Sequence, residues 1–123
     1  MIDHVTLQVS SVPASRELYE AALLPLGVHV MHADAETVGF HGDSAGSFWL
    51  IPAEGPRGRE LHLAFGAATR DEVRAFHEAA VAAGAESLHE PRVFPEYHEH
   101  YFGAFVRDPD GHNIEAVCHR EEP

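Results

Sequence analysis

The feature that most constrains this chain is an order of local patterns that occurs twice. Residues 4–9, His-Val-Thr-Leu-Gln-Val, alternate polar and apolar, the period of a strand with one face on a core. Ser11 and Pro13 then signal a helix start. Leu18, Ala21, Ala22 and Leu24 lie along one face of a helix that ends near Leu24 and Pro25, with Gly27 beyond. Three short strands follow over 28–32, 37–41 and 47–51, with a tight turn over 42–46. After a Pro- and Gly-rich linker near 54–59 the order returns. A strand over 61–65 leads to a helix capped by Thr69, with Val73, Phe76, His77, Ala80 and Val81 at helical spacing and Gly84 at its end. Strands over 85–89, 100–107 and 113–119 complete the second unit, the last two joined by the turn Asp108-Pro109-Asp110-Gly111.

The expected fold is therefore α+β. Two β-α-β-β-β modules, about 1–53 and 60–120, form a curved, partly open sheet around a concave site. A chain of 123 residues suits a single domain with a real core. The one cysteine, Cys118, permits no internal disulfide and reads as a small buried hydrophobe. A formal net charge of -12, with its 8 basic residues, all arginine, scattered, disfavours nucleic acid and anionic lipid as partners. No signal peptide or membrane-spanning stretch is visible, so the expected location is the cytoplasm.

Strand alternation assigns the chemistry. Val5 and Leu7 in one module, and Leu61 and Leu63 in the other, are expected to face the helices, which turns His4 and His62 to the opposite side. In the last strand Ile114, Ala116 and Cys118 pack on the helix, and Glu115 and Val117 share the face of the histidines. If the modules pair by pseudo-twofold symmetry, His4, His62 and Glu115 converge. Two imidazoles and one carboxylate hold Fe(II), Mn(II), Zn(II), Ni(II) or Co(II) and leave positions open for substrate oxygens. Such an ion acts as a Lewis acid on a carbonyl or enolate oxygen. Gly46 lies as far ahead of Leu50 as Gly111 does of Glu115, which makes Leu50 the expected counterpart of Glu115. Phe48 and Leu50 are then expected to line the site and bind substrate, with Trp49 and Ile51 packed on the helix.

Asp3-His4-Val5, Leu61-His62-Leu63 and the run from Asp108 to Glu115 together resemble the vicinal oxygen chelate superfamily, the group of glyoxalase I, bleomycin resistance proteins and extradiol dioxygenases. The resemblance covers nearly the whole chain. It implies metal ligation by His4, His62 and Glu115, a small substrate that chelates a divalent metal through adjacent oxygens, lyase or isomerase chemistry with dioxygenase chemistry next, and a homodimer. A further ligand of the family would fall near Leu50, where leucine cannot bind a metal, so the chain departs there from glyoxalase I. The alternative implied is a non-catalytic binding protein of bleomycin-resistance type.

A second dense stretch, Phe94-Pro95-Glu96-Tyr97-His98-Glu99-His100-Tyr101, precedes the penultimate strand. His98, His100 and Tyr101 are its candidate catalytic groups and Tyr97 a candidate substrate contact. The remaining histidines, His112 and His119 among them, read as surface or packing residues, and Asp108 and Asp110 as turn residues.

Overall fold

The structure, a computed structural model, describes residues 1–121. Its elements are β1 (His4–Val9), α1 (Val12–Leu23), a short 3-10 turn (Leu24–Leu26), β2 (His29–Ala33), β3 (Val38–His41), β4 (Ser47–Pro52), β5 (His62–Gly66), α2 (Arg70–Ala82), β6 (Glu86–Val93), β7 (Phe102–Arg107) and β8 (Asn113–Cys118). The strands form two four-stranded sheets of identical topology, β1-β4-β3-β2 and β5-β8-β7-β6. In each the first strand pairs in parallel with the last, and the other pairings are antiparallel. The expected doubled α+β order is thus the observed one. No helix among the described residues is long and apolar enough to cross a membrane.

Local chemistry accounts for the helix starts. The Ser11 hydroxyl accepts from the Ala14 N–H at 3.2 Å. Thr69 and Glu72 form a reciprocal capping box, which satisfies two otherwise unpaired donors at the head of α2. Val12, Leu18, Tyr19, Ala22 and Leu23 of α1 and Val73, Phe76 and Ala80 of α2 are buried, and the two helices pack on each other and on the sheets. Leu7, Val9, Val38, Phe40 and Leu50 meet them from the first sheet; Ala104, Val106, Ile114, Ala116 and Cys118 do so from the second.

The strand expected over 85–89 runs on to Val93. Its pairing with β7 shifts register twice, which lets a strand containing Pro91 continue past its break. This longer strand delivers Phe94 and the following loop to one end of β7 and β8.

The two modules are joined by the turn between β7 and β8. Asp108 and Asp110 are both nearly buried. Asp108 accepts from the Tyr19 hydroxyl of α1 at 2.6 Å and from the backbone N–H groups of Asp110 and His112. Asp110 accepts from the Ser10 N–H, at 3.1 Å to its nearer oxygen, just past the end of β1. His112, read from sequence as surface or packing, is buried, and its Nδ1 accepts from the Leu61 N–H at 2.9 Å. Gly111 holds a positive φ of 86°, which closes the turn. The Phe48 ring bridges the modules, against Tyr19 of its own module and edge-on to Phe65 of the other.

Burial first, and then the Asp108 carboxylate beside it, push the Tyr19 phenol far above its usual range. A raised phenol favours the folded state fully below the ordinary tyrosine value of about 10 and progressively less above it. Tyr19→Phe should cost about 1–3 kcal/mol at neutral pH by leaving a buried carboxylate short of a donor. The variant should also lose less stability than the wild type on going above pH ~10. Urea unfolding at neutral and alkaline pH checks both; equal stability at neutral pH would remove this contact from the account.

Candidate functional site

Each sheet has a face turned away from the helices, and strand register states what lies on it. In the second sheet His62 pairs with Asn113, and Ala64 with Glu115. Leu63 and Ile114 face the core, so His62 and Glu115 share the outer face, on neighbouring strands. Phe105, opposite Glu115 on β7, lies there too. The three line a cavity of about 490 Å3 with Tyr97, His98 and Tyr101.

Glu115 is only 1% exposed, a rare state for a carboxylate without a partner. One of its oxygens, Oε2, accepts a short hydrogen bond from the Tyr101 hydroxyl. Burial and then this bond hold the Tyr101 phenol well above its usual range, so it stays a donor. Gly103 leaves room for the carboxylate: a Cβ there would stand 3.2 Å from Oε2. The other oxygen, Oε1, is buried with no hydrogen bond, although His62 Nε2 lies 3.0 Å away. Closeness without hydrogen-bond alignment is the notable point. The other ring nitrogen, Nδ1, lies 3.2 Å from the Asn113 carbonyl oxygen. A carbonyl only accepts, so that nitrogen carries a proton. In the neutral ring the Nε2 lone pair then faces a carboxylate oxygen, a repulsion that a cation between the two would relieve. Two atoms each about 2.1 Å from one ion, at a right angle, stand about 3 Å apart. A histidine ligand whose second nitrogen donates to a backbone carbonyl is also the usual supporting arrangement. The pair therefore fits a divalent metal.

His4 does not join them. It lies on the outer face of the first sheet, its side chain 59% exposed and its Nδ1 2.8 Å from Asp3. It lines a different cavity, with Phe40, Phe48 and Phe65. Among the described residues of one chain, no three His, Cys, Asp or Glu side chains gather as a metal-binding group.

The register of the first sheet corrects two expectations. His4 pairs with Ser47 and Thr6 with Trp49, so Trp49, not Leu50, stands where Glu115 stands in the second sheet. β4 enters its pairing one residue after Gly46, whereas β8 does so two residues after Gly111; the glycines are not equivalent anchors. Leu50 is fully buried, paired with Leu7 on the helix side, and cannot touch a ligand. Phe48 has the same parity and is nearly buried, reaching only the cavity of His4. Trp49 is half-buried on the outer face, its ring lying over Gly39, where an added Cβ would come within 2.6 Å of it.

Of the loop residues, Tyr97, His98 and Tyr101 border the Glu115 cavity. His100 does not: its ring turns to Glu99, Nε2 to Oε1 3.4 Å, and it serves the site only through its backbone N–H, which donates to His98 Nδ1. That bond places the His98 proton on Nε2, which donates to His119 Nδ1 at 2.8 Å. His119 and Phe105 are the neighbours that the sequence reading passed over. His119 keeps the parity of Glu115 and Val117 along the last strand, and that alternation was the available signal.

A family model described as the Glyoxalase/Bleomycin resistance protein/Dioxygenase superfamily matches residues 1–116. The chain belongs to this superfamily. A glyoxalase/bleomycin resistance protein from Albidiferax ferrireducens T118 is similar in structure with a TM-score of 0.83 and 26% identity, covering 95% of this chain and 98% of the other. A glyoxalase-related enzyme from Fulvimarina pelagi gives 0.75 at 22% identity, with 96% and 87% covered. A lactoylglutathione lyase from Agrobacterium tumefaciens gives 0.68 at 18%, with 96% and 92% covered, and at that identity shares the fold alone. A search of curated proteins gives no match.

For this glyoxalase-superfamily chain the register makes a direct prediction. Leu50→Glu should destabilise by about 3–5 kcal/mol, because it puts an unpaired charge into the core. Trp49→Glu, on the open face, should cost far less. Paired thermal melts decide; equal losses would mean that the parity of β4 is wrong.

Proposed function

We propose that this protein is a metal-dependent enzyme of glyoxalase type that acts on a small substrate through two adjacent oxygens. The observation that carries the reading is the buried Glu115 Oε1, without a hydrogen bond and 3.0 Å from His62 Nε2. In this reading His62 and Glu115 hold a divalent ion such as Zn, Ni, Fe, Mn or Co. When bound, that ion supplies Lewis acidity toward the substrate oxygens. Tyr101 fixes the Glu115 carboxylate through Oε2 and leaves Oε1 free for ligation. The Asn113 carbonyl fixes the imidazole tautomer. Tyr97, His98, Tyr101 and Phe105 form the walls beside the pair.

The third ligand is His4 of a second copy. His4 and the His62–Glu115 pair lie on the outer faces of different modules and border separate cavities in one chain. A homodimer that sets the first module of one copy against the second module of the other completes the set, and does so twice by symmetry. The outer-face residues Thr6, Gln8 and Ala64, exposed in the single chain, would lie along that contact.

A second reading keeps the binding and drops the turnover: a small-molecule binding or resistance protein. His98 favours it, since both of its ring nitrogens are engaged within the chain, by His100 N–H and by His119, and neither is free to move a substrate proton.

The proposal predicts about one metal per chain in the wild type and loss of it in Glu115→Ala. His4→Ala and Glu115→Ala, each deficient alone, should regain metal when mixed under conditions that exchange subunits. Statistical mixing gives about one quarter of the wild-type capacity, because each heterodimer rebuilds one site of two. Elemental analysis reads the result. No recovery would put the three ligands within one chain or remove His4 from the set.

A further inference from the structure

The walls of the Glu115 cavity are of one chemical kind. Apart from Glu115 itself, every lining residue carries a ring: His62, Tyr97, His98, Tyr101 and Phe105. No Lys or Arg is among its described lining residues. Arg92, on the strand leading into the loop, has its guanidinium carbon 3.7 Å from the centre of the Phe94 ring and a nitrogen 3.4 Å from Glu96, so its charge is used locally. Away from the Glu115–His62 end, an anionic group would enter a chain of net charge -12 with no cationic side chain in the described walls to hold it. The size, about 490 Å3, suits a small organic molecule.

Tyr97 is the unusual member. It is 61% exposed, yet it is not loosely held. Its backbone N–H donates to the Phe94 carbonyl at 3.0 Å, the Phe94 N–H donates to the Tyr101 carbonyl at 2.7 Å, and the Tyr101 N–H donates to the His98 carbonyl at 3.2 Å. The loop is therefore closed on itself. The Tyr97 ring stacks on Phe94, which is 2% exposed, with centroids 5.7 Å apart and planes within 17°. Tyr101 packs against it edge-on at 4.9 Å. A pinned aromatic ring that leaves much of its area to solvent offers contact at little entropic cost.

We infer that the ligand of this site carries an uncharged planar aromatic ring that packs against Tyr97, with its oxygen atoms directed to the Glu115–His62 end. This rests on the reading of that pair as a metal-holding site, and it narrows the substrate to aryl compounds with adjacent oxygen donors. Carboxylate or phosphate groups beyond the chelating pair would find no cationic side chain among the described lining residues.

The test uses two probes that chelate alike and differ in the ring, benzohydroxamate and acetohydroxamate, titrated by calorimetry into the metal-loaded full chain and its Tyr97→Leu variant. Phenol, a ring without the chelating pair, is titrated alongside, and metal content is measured for each sample. The wild type should bind benzohydroxamate about tenfold more tightly than acetohydroxamate. Tyr97→Leu should reduce that ratio about three- to tenfold while metal content and acetohydroxamate binding stay as they were. A ratio near one in the wild type, or an unchanged ratio in the variant, overturns the aromatic inference and leaves the metal reading standing. A protein that takes up no metal but binds phenol in a Tyr97-dependent way retires the metal reading and sustains the aromatic one.

Discussion

The geometry of this molecule depends on a pair of buried carboxylates in one turn. Asp108 and Asp110 could have been solvated loop residues. Instead they accept hydrogen bonds from the Tyr19 hydroxyl and the Ser10 backbone of the other module, as well as from their own turn. Buried carboxylates left without donors would cost several kcal/mol, so these contacts strongly favour a single arrangement of the modules. β8 starts two residues beyond that turn, and His112 inside it ties the start of β5 to the same point. The His112 bond and the β5–β8 ladder together set His62 beside Glu115.

Glu115 expresses the opposite logic. Where Asp108 is saturated with donors, Glu115 is satisfied on one oxygen and bare on the other. Folding supplies Oε1 with no aligned hydrogen-bond donor, although Oε2 has the Tyr101 hydroxyl. Such a half-satisfied buried charge is expected at a functional site rather than in a purely structural core. The aromatic walls, the fixed imidazole tautomer and the unpaired carboxylate oxygen make one consistent arrangement, one that a bound cation would charge-balance.

Much of this was legible in the sequence, for identifiable reasons. The doubled element order and both helix caps rest on local chemistry, and the structure follows them. The placement of His62 and Glu115 on one face rests on strand alternation, which the apolar flanks Leu63, Ile114 and Ala116 enforce. The error at Leu50 has a definite source: alignment by Gly46 and Gly111 assumed that equal distances from a glycine give equal register, but the two turns feed their strands with different offsets. Alternation turns a one-residue offset into a change of face, which exchanged the roles of Trp49 and Leu50. The separation of His4 from His62 and Glu115 could not be read at all, since sequence periodicity places a side chain on a face and not that face against a partner. The pairing of His98 with His119 joins a loop to the residue just past a strand end, a contact that no local pattern announces.

The central claim is that Glu115 Oε1 and His62 Nε2 share a divalent ion, and anomalous diffraction from a crystal of the metal-loaded protein tests it most directly. The account predicts a single strong anomalous peak per site, about 2.1 Å from both atoms, with a histidine of a second copy completing the set. A peak elsewhere would contradict it. So would a fully metal-loaded crystal form in which Oε1 and Nε2 keep their 3.0 Å approach with nothing bound between them.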